Sequence, residues 1–180
     1  MNKIGIIGYG EIGSSLHNVY KEFEYNVEVI DPFLGLNGDL SNCDLLNICI
    51  PSVDGFVDIV NEYIDLLNPS LIVIHSTIEP GTTMKINGKV CHSPVRGLHP
   101  NLTLGIKTFI KYISSEDINN SIEYQNHLKS LNIKSFICKN TKTSEYAKLL
   151  DTTYYGLCIA FHNDVANICE KEGLDFNEVM

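Results

Sequence analysis

Short unbroken apolar runs alternate along this chain with stretches in which apolar residues recur every three or four positions. Ile4–Ile7 is the first run, and Ile12, Leu16, Val19, Tyr20 and Phe23 form the helical stripe that follows it. Asn26–Ile30 reads as a second strand ending at Asp31, and the turn-rich Pro32–Asp39 supports no long helix. Cys43–Ile50 is a buried type of strand closed by Pro51 and Ser52. Asp54 stands where it can cap the next helix, whose apolar face is Phe56, Val57, Ile59, Val60, Tyr63, Ile64 and Leu67, with Pro69 as its stop. Leu71–His75 is the most apolar strand, which predicts a central place in a sheet, with Ser76 and Thr77 at its carboxyl end. Pro80–Thr83 can open a short helix, and Lys89–His92 resumes as a strand. The long polar loop Ser93–Asn101 leads to Thr108–Ile113, which alternates like a strand. A helix from about Asp117 to Leu131 and a strand from Lys134 to Cys138 complete the sheet region. One helical pattern then runs from Thr141 to about Glu172, with Gly173 in the usual C-terminal position, and Leu174–Met180 starts a further helix.

The first strand and helix are joined by Gly8-Tyr9-Gly10-Glu11-Ile12-Gly13, a G-x-G-x-x-G turn in the strand–turn–helix setting that gives the motif meaning. Gly8 permits the tight turn, Gly10 lets a pyrophosphate approach the backbone, and Gly13 lets the helix pack close to the strand. The helix N-terminus then faces the phosphates with unbonded N–H groups and a favourable dipole. Asp31 ends the second strand at the distance where a carboxylate accepts hydrogen bonds from the adenosine ribose. An acid there favours NAD, since the 2′-phosphate of NADP would meet a like charge, and no Arg or Lys follows closely to reverse this. The pattern therefore predicts an α/β protein of the Rossmann type, a doubly wound, mainly parallel sheet followed by a long C-terminal α-helix. Residues 1–140 would form the NAD-binding domain, and residues 141–180 the long helix and the start of another. A helix of that length exposes too much apolar surface to stand alone, so a homodimer through residues 141–172 is expected.

Charge narrows the partners. The chain of 180 residues has a net charge of −9 and a pI near 5.0, which argues against nucleic acid and against an anionic membrane surface. No apolar run approaches the length of a membrane span, and the N-terminus enters a strand directly without a signal peptide. Six scattered cysteines, with no C-x-x-C pair, read as free thiols in a reducing, cytoplasmic compartment. Cys158 and His162 share a helix face, but two such groups without a third give no metal site, and none is expected.

Four stretches carry a family resemblance. They are Gly8–Gly13; Ile50-Pro51-Ser52; His75-Ser-Thr-Ile-Glu-Pro-Gly-Thr-Thr83; and Ser144-Glu-Tyr-Ala-Lys-Leu-Leu150 through Phe161-His-Asn-Asp-Val-Ala-Asn-Ile-Cys-Glu-Lys-Glu-Gly173. Together they resemble the UDP-glucose/GDP-mannose dehydrogenase family, within the wider 6-phosphogluconate dehydrogenase-like set, over its N-terminal NAD domain and the start of its central helix. The resemblance implies NAD-dependent oxidation of a sugar-nucleotide alcohol to a carboxylate in two steps through a cysteine thiohemiacetal. It implies that Thr77 lies near the nicotinamide and that Lys148 stabilises alkoxide charge. Pro51, Ser52 and Ser76 join the cofactor-binding set.

Three features depart from the family pattern. Thr152 stands where the family helix has Asn, Val95 stands where its S-P-E-R loop has Glu, and the nucleophilic cysteine belongs to a later segment. The complete four-electron reaction is therefore not expected of these 180 residues. The expectation is an NAD-dependent two-electron hydride transfer on a small anionic hydroxy or sugar-acid substrate. The alternatives are an NAD-binding or regulatory module without turnover, or a fragment of a full UDP-sugar dehydrogenase.

Candidate chemistry gathers in the loop after the fifth expected strand. Arg96 is the single arginine among twelve lysines, and its planar fork suits an anionic substrate. His99 suits proton transfer, with loop ordering as the competing role. Lys148 could polarise an oxygen. Asn101 and Thr152 complete the substrate-binding set.

Overall fold

The sheet that carries the candidate site is built from strands that alternate their apolar residues between two faces. The computed structural model describes residues 1–97 and 100–180, so His99 lies outside the described residues. Among these residues β1 (Lys3–Ile7), α1 (Glu11–Glu22), β2 (Asn26–Asp31), β3 (Leu36–Asn37), β4 (Leu45–Ile48), α2 (Phe56–Leu67), β5 (Leu71–Ile74) and β6 (Val90–His92) follow in order. They form a six-stranded sheet in the order β3-β2-β1-β4-β5-β6, parallel except for the short antiparallel edge strand β3. In register, Ile4 lies between Val27 and Leu45, and Ile72 lies between Leu46 and Val90. The chain crosses from one side of β1 to the other between β2 and β4, and such a switch point opens a crevice at the carboxyl ends of the strands.

Period-two alternation divides the core. Ile4, Ile6, Leu45, Leu71 and Val73 pack with Leu16, Val19 and Tyr20 of α1 on one face. Ile7, Leu46, Ile48, Ile72 and Ile74 pack with Phe56, Val60 and Ile64 of α2 on the other. Helix α3 (Leu102–Thr108) and helix α4 (Ile118–Ser130) add Leu102, Ile106, Tyr124 and Leu128 to the first face.

Several local expectations need correction. α2 starts after Gly55 at φ +79, and no side chain caps it, so Asp54 has no capping role. Pro80–Thr83 leads into a single 3₁₀ turn, Thr83–Lys85. β7 (Lys111–Ile113) and β8 (Ser135–Ile137) pair in parallel as a separate two-stranded sheet, joined to β6 through an antiparallel bridge between His92 and Ser114. α3 has no counterpart in the sequence pattern. It is seven residues long, carries Gly105 at its centre and has no side-chain cap, so its own propensity is weak. Packing makes it: a Cβ on Gly105 would come within 2.6 Å of the Gly97 Cα and 2.9 Å of the Arg96 carbonyl oxygen.

The chain divides into two compact units, Met1–Tyr146 and Ala147–Met180. The helix α5 (Thr141–Glu172) begins in the first and supplies most of the second, ending at Gly173 with φ +68. α6 (Phe176–Val179) follows, capped by Asp175, which accepts from the Asn177 N–H at 2.7 Å. The second unit exposes Leu150, Tyr154, Tyr155, Leu157, Phe161 and Ile168. No described helix is long and apolar enough to cross a membrane. All six cysteines are free, and burial pushes the Cys49 and Cys91 thiols up to about 12, leaving both protonated at neutral pH.

Candidate cofactor and substrate site

The glycine turn packs so tightly that two of its three glycines have no alternative. Gly8 has φ +88, its N–H donates to the Ile30 carbonyl at 2.9 Å, and a Cβ there would lie 2.9 Å from the Cys49 carbonyl oxygen. A Cβ on Gly13 would run into the Gly8 carbonyl oxygen, so α1 rests directly on the turn. Gly10 is the opposite case. It caps α1 with ordinary backbone angles (φ −69), no side chain caps the helix there, and a Cβ would meet nothing within 4 Å. An open space before a helix N-terminus can hold a pyrophosphate, because the first turn directs N–H groups and a positive dipole end at it. Tyr9, Glu11 and Ile12 complete the turn, the Tyr9 hydroxyl lying 3.2 Å from His17 Nδ1.

Asp31 is placed as the sequence predicts, at the end of β2 beside the turn, but it is already engaged. Its Oδ2 accepts from the Tyr9 N–H at 2.7 Å, and its Oδ1 accepts from the N–H groups of Phe33 and Leu34 at 3.0 and 3.2 Å. The carboxylate thus braces the glycine turn against the 3₁₀ turn Pro32–Leu34, leaving one of its roughly four acceptor sites for a hydroxyl donor. Pro51 and Ser52 lie exposed beyond β4. Ser76 is buried and donates to the Ile50 carbonyl at 2.6 Å, tying the loops after β5 and β4 together, and Thr77 beside it is exposed.

Three buried residues with no assigned role in the sequence hold this edge in shape. Glu145, at the start of α5, accepts from the Gly81 N–H at 2.5 Å and from both the Thr83 N–H (2.9 Å) and hydroxyl (2.6 Å). It therefore fixes the far end of the Ser76–Thr83 segment. His92 Nδ1 lies 2.6 Å from the Ser144 hydroxyl, and burial lowers the His92 pKa to about 4, so the ring is neutral at physiological pH.

Asn47, within β4, donates from Nδ2 to the Gly5 carbonyl at 3.1 Å, which turns its Oδ1 toward His75 Nε2 at 2.9 Å. His75 must then donate from Nε2 and present a lone pair at Nδ1. Facing that lone pair, at 3.1 Å, is the ammonium of Lys111, which also donates to the Ser93 carbonyl at 2.7 Å. Burial first, and then the Lys111 charge, hold His75 well below the usual histidine range. His75 and His92 are both buried and hydrogen-bonded. Lys111 left no sequence signal beyond a lysine at an inward-facing position of an alternating strand.

Arg96 is half-buried, with its guanidinium carbon 5.7 Å from the Phe109 ring centroid and 6.0 Å from that of Tyr112. Asn101 is exposed at the N-terminus of α3 and caps nothing with its side chain. Lys148 and Thr152 belong to the second unit, where the Thr152 hydroxyl donates to the Lys148 carbonyl at 3.0 Å.

Residues 142–180 match the model of the UDP-glucose/GDP-mannose dehydrogenase family, central domain. The UDP-N-acetyl-D-mannosamine dehydrogenase of Methanococcus vannielii is 28% identical over 177 residues, covering 92% of this chain and 40% of that protein. That of Methanocaldococcus jannaschii is 28% identical over 159 residues, 83% of this chain and 35% of its own. The chain therefore spans well under half the length of these relatives. Among solved structures, the UDP-D-ManNAc dehydrogenase of Pyrococcus horikoshii superposes with a TM-score of 0.83 at 19% identity, over 98% of this chain and 56% of that one. GDP-mannose dehydrogenase of Pseudomonas aeruginosa gives 0.79 at 17% identity, over 98% and 55%. The fold is that of these dehydrogenases, and in residues 142–180 and through the N-terminal region the chain is similar to the UDP-glucose/GDP-mannose dehydrogenases.

Proposed function

We propose that the chain forms the NAD-binding part of an oxidoreductase akin to the nucleotide-sugar dehydrogenases, serving two-electron hydride transfer on a small anionic hydroxy or sugar-acid substrate. The observation that carries this reading is the open cradle at Gly10, set before α1 at the switch point of the sheet. Gly8, Tyr9, Gly10, Glu11, Ile12 and Gly13 would hold the pyrophosphate, and Asp31 would take a ribose hydroxyl. Pro51, Ser52, Ser76 and Thr77 would line the approach to the nicotinamide, which when bound supplies the hydride acceptor. Arg96 would clamp the anion with Asn101 and Thr152, and Lys148 or His99 would handle the proton. A homodimer through residues 141–172 and a reducing, cytoplasmic setting belong to the same reading. The exposed apolar residues of α5 and the free thiols support them.

A second reading, an NAD-binding or regulatory module without turnover, is favoured by Val95, which is buried in the core where the family has a catalytic-loop Glu. Calorimetry of the native gene product with NAD and NADH tests the common ground of both. Absorbance at the nicotinamide band, with UDP-N-acetyl-D-mannosamine and with simple hydroxy acids, then separates them. Binding with turnover is the expected result, binding without any turnover selects the module, and absence of binding overturns both.

A further inference from the structure

The loop that carries Arg96 is gripped from beneath by a buried charge. Lys111 stands at the start of β7 and is 3% exposed. Its ammonium donates to the Ser93 carbonyl at 2.7 Å and approaches the Pro94 carbonyl at 3.4 Å, the two residues that lead from β6 toward Arg96. The Ser93 carbonyl oxygen also lies 2.8 Å from His75 Nδ1. With Asn47 holding the His75 proton on Nε2, that contact joins two acceptors, and only a donor facing both makes it favourable. Lys111 is that donor, bridging the carboxyl ends of β5 and β6.

The same short segment, Phe109 to Tyr112, supplies the two rings under the Arg96 guanidinium, so one stretch of chain fixes both the backbone and the head group of Arg96. A guanidinium held on aromatic faces keeps its N–H fork in one orientation at low entropic cost to a ligand. We propose that Lys111 is a positioning residue for anion binding: by tying Ser93 and Pro94 to His75, it fixes the Arg96 guanidinium over Phe109 and Tyr112, presented to a carboxylate- or phosphate-bearing ligand. This rests on the reading of Arg96 as the anion clamp.

The test needs no knowledge of the ligand. Arg96 is the chain's single arginine, so its side-chain Nε–H gives one unambiguous NMR resonance, displaced by the ring currents of Phe109 and Tyr112. In Lys111→Met that resonance should return to its random-coil position, and in Lys111→Arg it should stay displaced. A Lys111→Met protein that is folded, by its thermal transition, yet keeps the Arg96 resonance in place overturns the proposal. A measurement on the unaltered chain guards against a variant that does not fold. The His75 ring nitrogens should report the Nε2–H tautomer with an accepting Nδ1, and a proton on Nδ1 overturns the bridge. Titration of NADH-loaded protein with UDP-N-acetyl-D-mannosamine then separates this proposal from the reading beneath it. If Arg96→Ala binds as the unaltered chain does while the resonance responds to Lys111, the positioning stands and the clamp fails. If both variants weaken binding at least tenfold and Lys111→Arg restores it, both stand.

Discussion

Substituting the two outer positions of the glycine turn's second half should separate what the turn does for the fold from what it does for a ligand. In Gly13→Ala the new Cβ strikes the Gly8 carbonyl oxygen and lies 3.0 Å from the Gly8 carbonyl carbon and 3.3 Å from Ile6 Cγ2. The obstacle is mostly backbone, so α1 has to lift from β1. Overpacking of this kind costs about 1–3 kcal/mol or more. The gain in helix propensity from Gly to Ala, about 1 kcal/mol, recovers part of it. A net loss of about 2 kcal/mol should lower Tm by roughly 4–8 °C for a chain of this length.

Gly10→Ala meets no atom within 4 Å and needs no special φ. The poorer N-cap costs about 0.5–1 kcal/mol, and the stiffer unfolded chain returns about as much. Its Tm should therefore stay within about 3 °C of the unaltered protein. The same methyl group fills the space a phosphate would occupy, so NADH binding by calorimetry should weaken at least tenfold, about 1.4 kcal/mol. If Gly10→Ala binds NADH unchanged at unchanged Tm, the phosphate does not sit at this turn and the argument fails. A large fall in Tm for Gly10→Ala would refute the geometry itself.

Acid should destabilise the fold before most carboxylates titrate. Burial lowers His92 and His127 to about 4 from an ordinary value near 6.5. The unfolded chain therefore takes up these protons first, and the stability, complete above pH 6.5, is lost as pH falls toward 4. Linkage gives about 2 kcal/mol for each at pH 5. Denaturant unfolding should show the decline between pH 7 and 5, and a flat profile there would mean that the two rings are accessible. Light scattering should show a dimer at micromolar concentration, since α5 exposes Leu150, Tyr154, Leu157 and Phe161 in the single chain, and a monomer would rule out the helix as an interface.

The sequence by itself determined whatever depends on near neighbours in the chain. The glycine turn, Asp31 at the end of β2 and Gly173 after α5 are each local geometry that a few residues dictate, and all three stand where the pattern puts them. The alternation of strand faces fixed which apolar residues meet α1 and which meet α2, because side chains on a strand have period two.

Only the tertiary structure decided the rest. α3 exists because Gly105 lies against Gly97, a contact between residues whose local propensities promise no helix. β8 joins β7 in a second sheet rather than the edge of the first, which no periodicity could state. Asp54 lost its cap to a neighbouring glycine. Asn47, Lys111 and Glu145 look like ordinary polar residues in the sequence, yet each is buried and satisfied by backbone groups distant along the chain. A buried polar group is stable only where such partners converge, and convergence is a property of the folded chain. The cofactor turn is legible from six consecutive residues because it is built from its own backbone. The Arg96 loop takes its shape from β5, α3 and β7, and so it became legible only once they were in place.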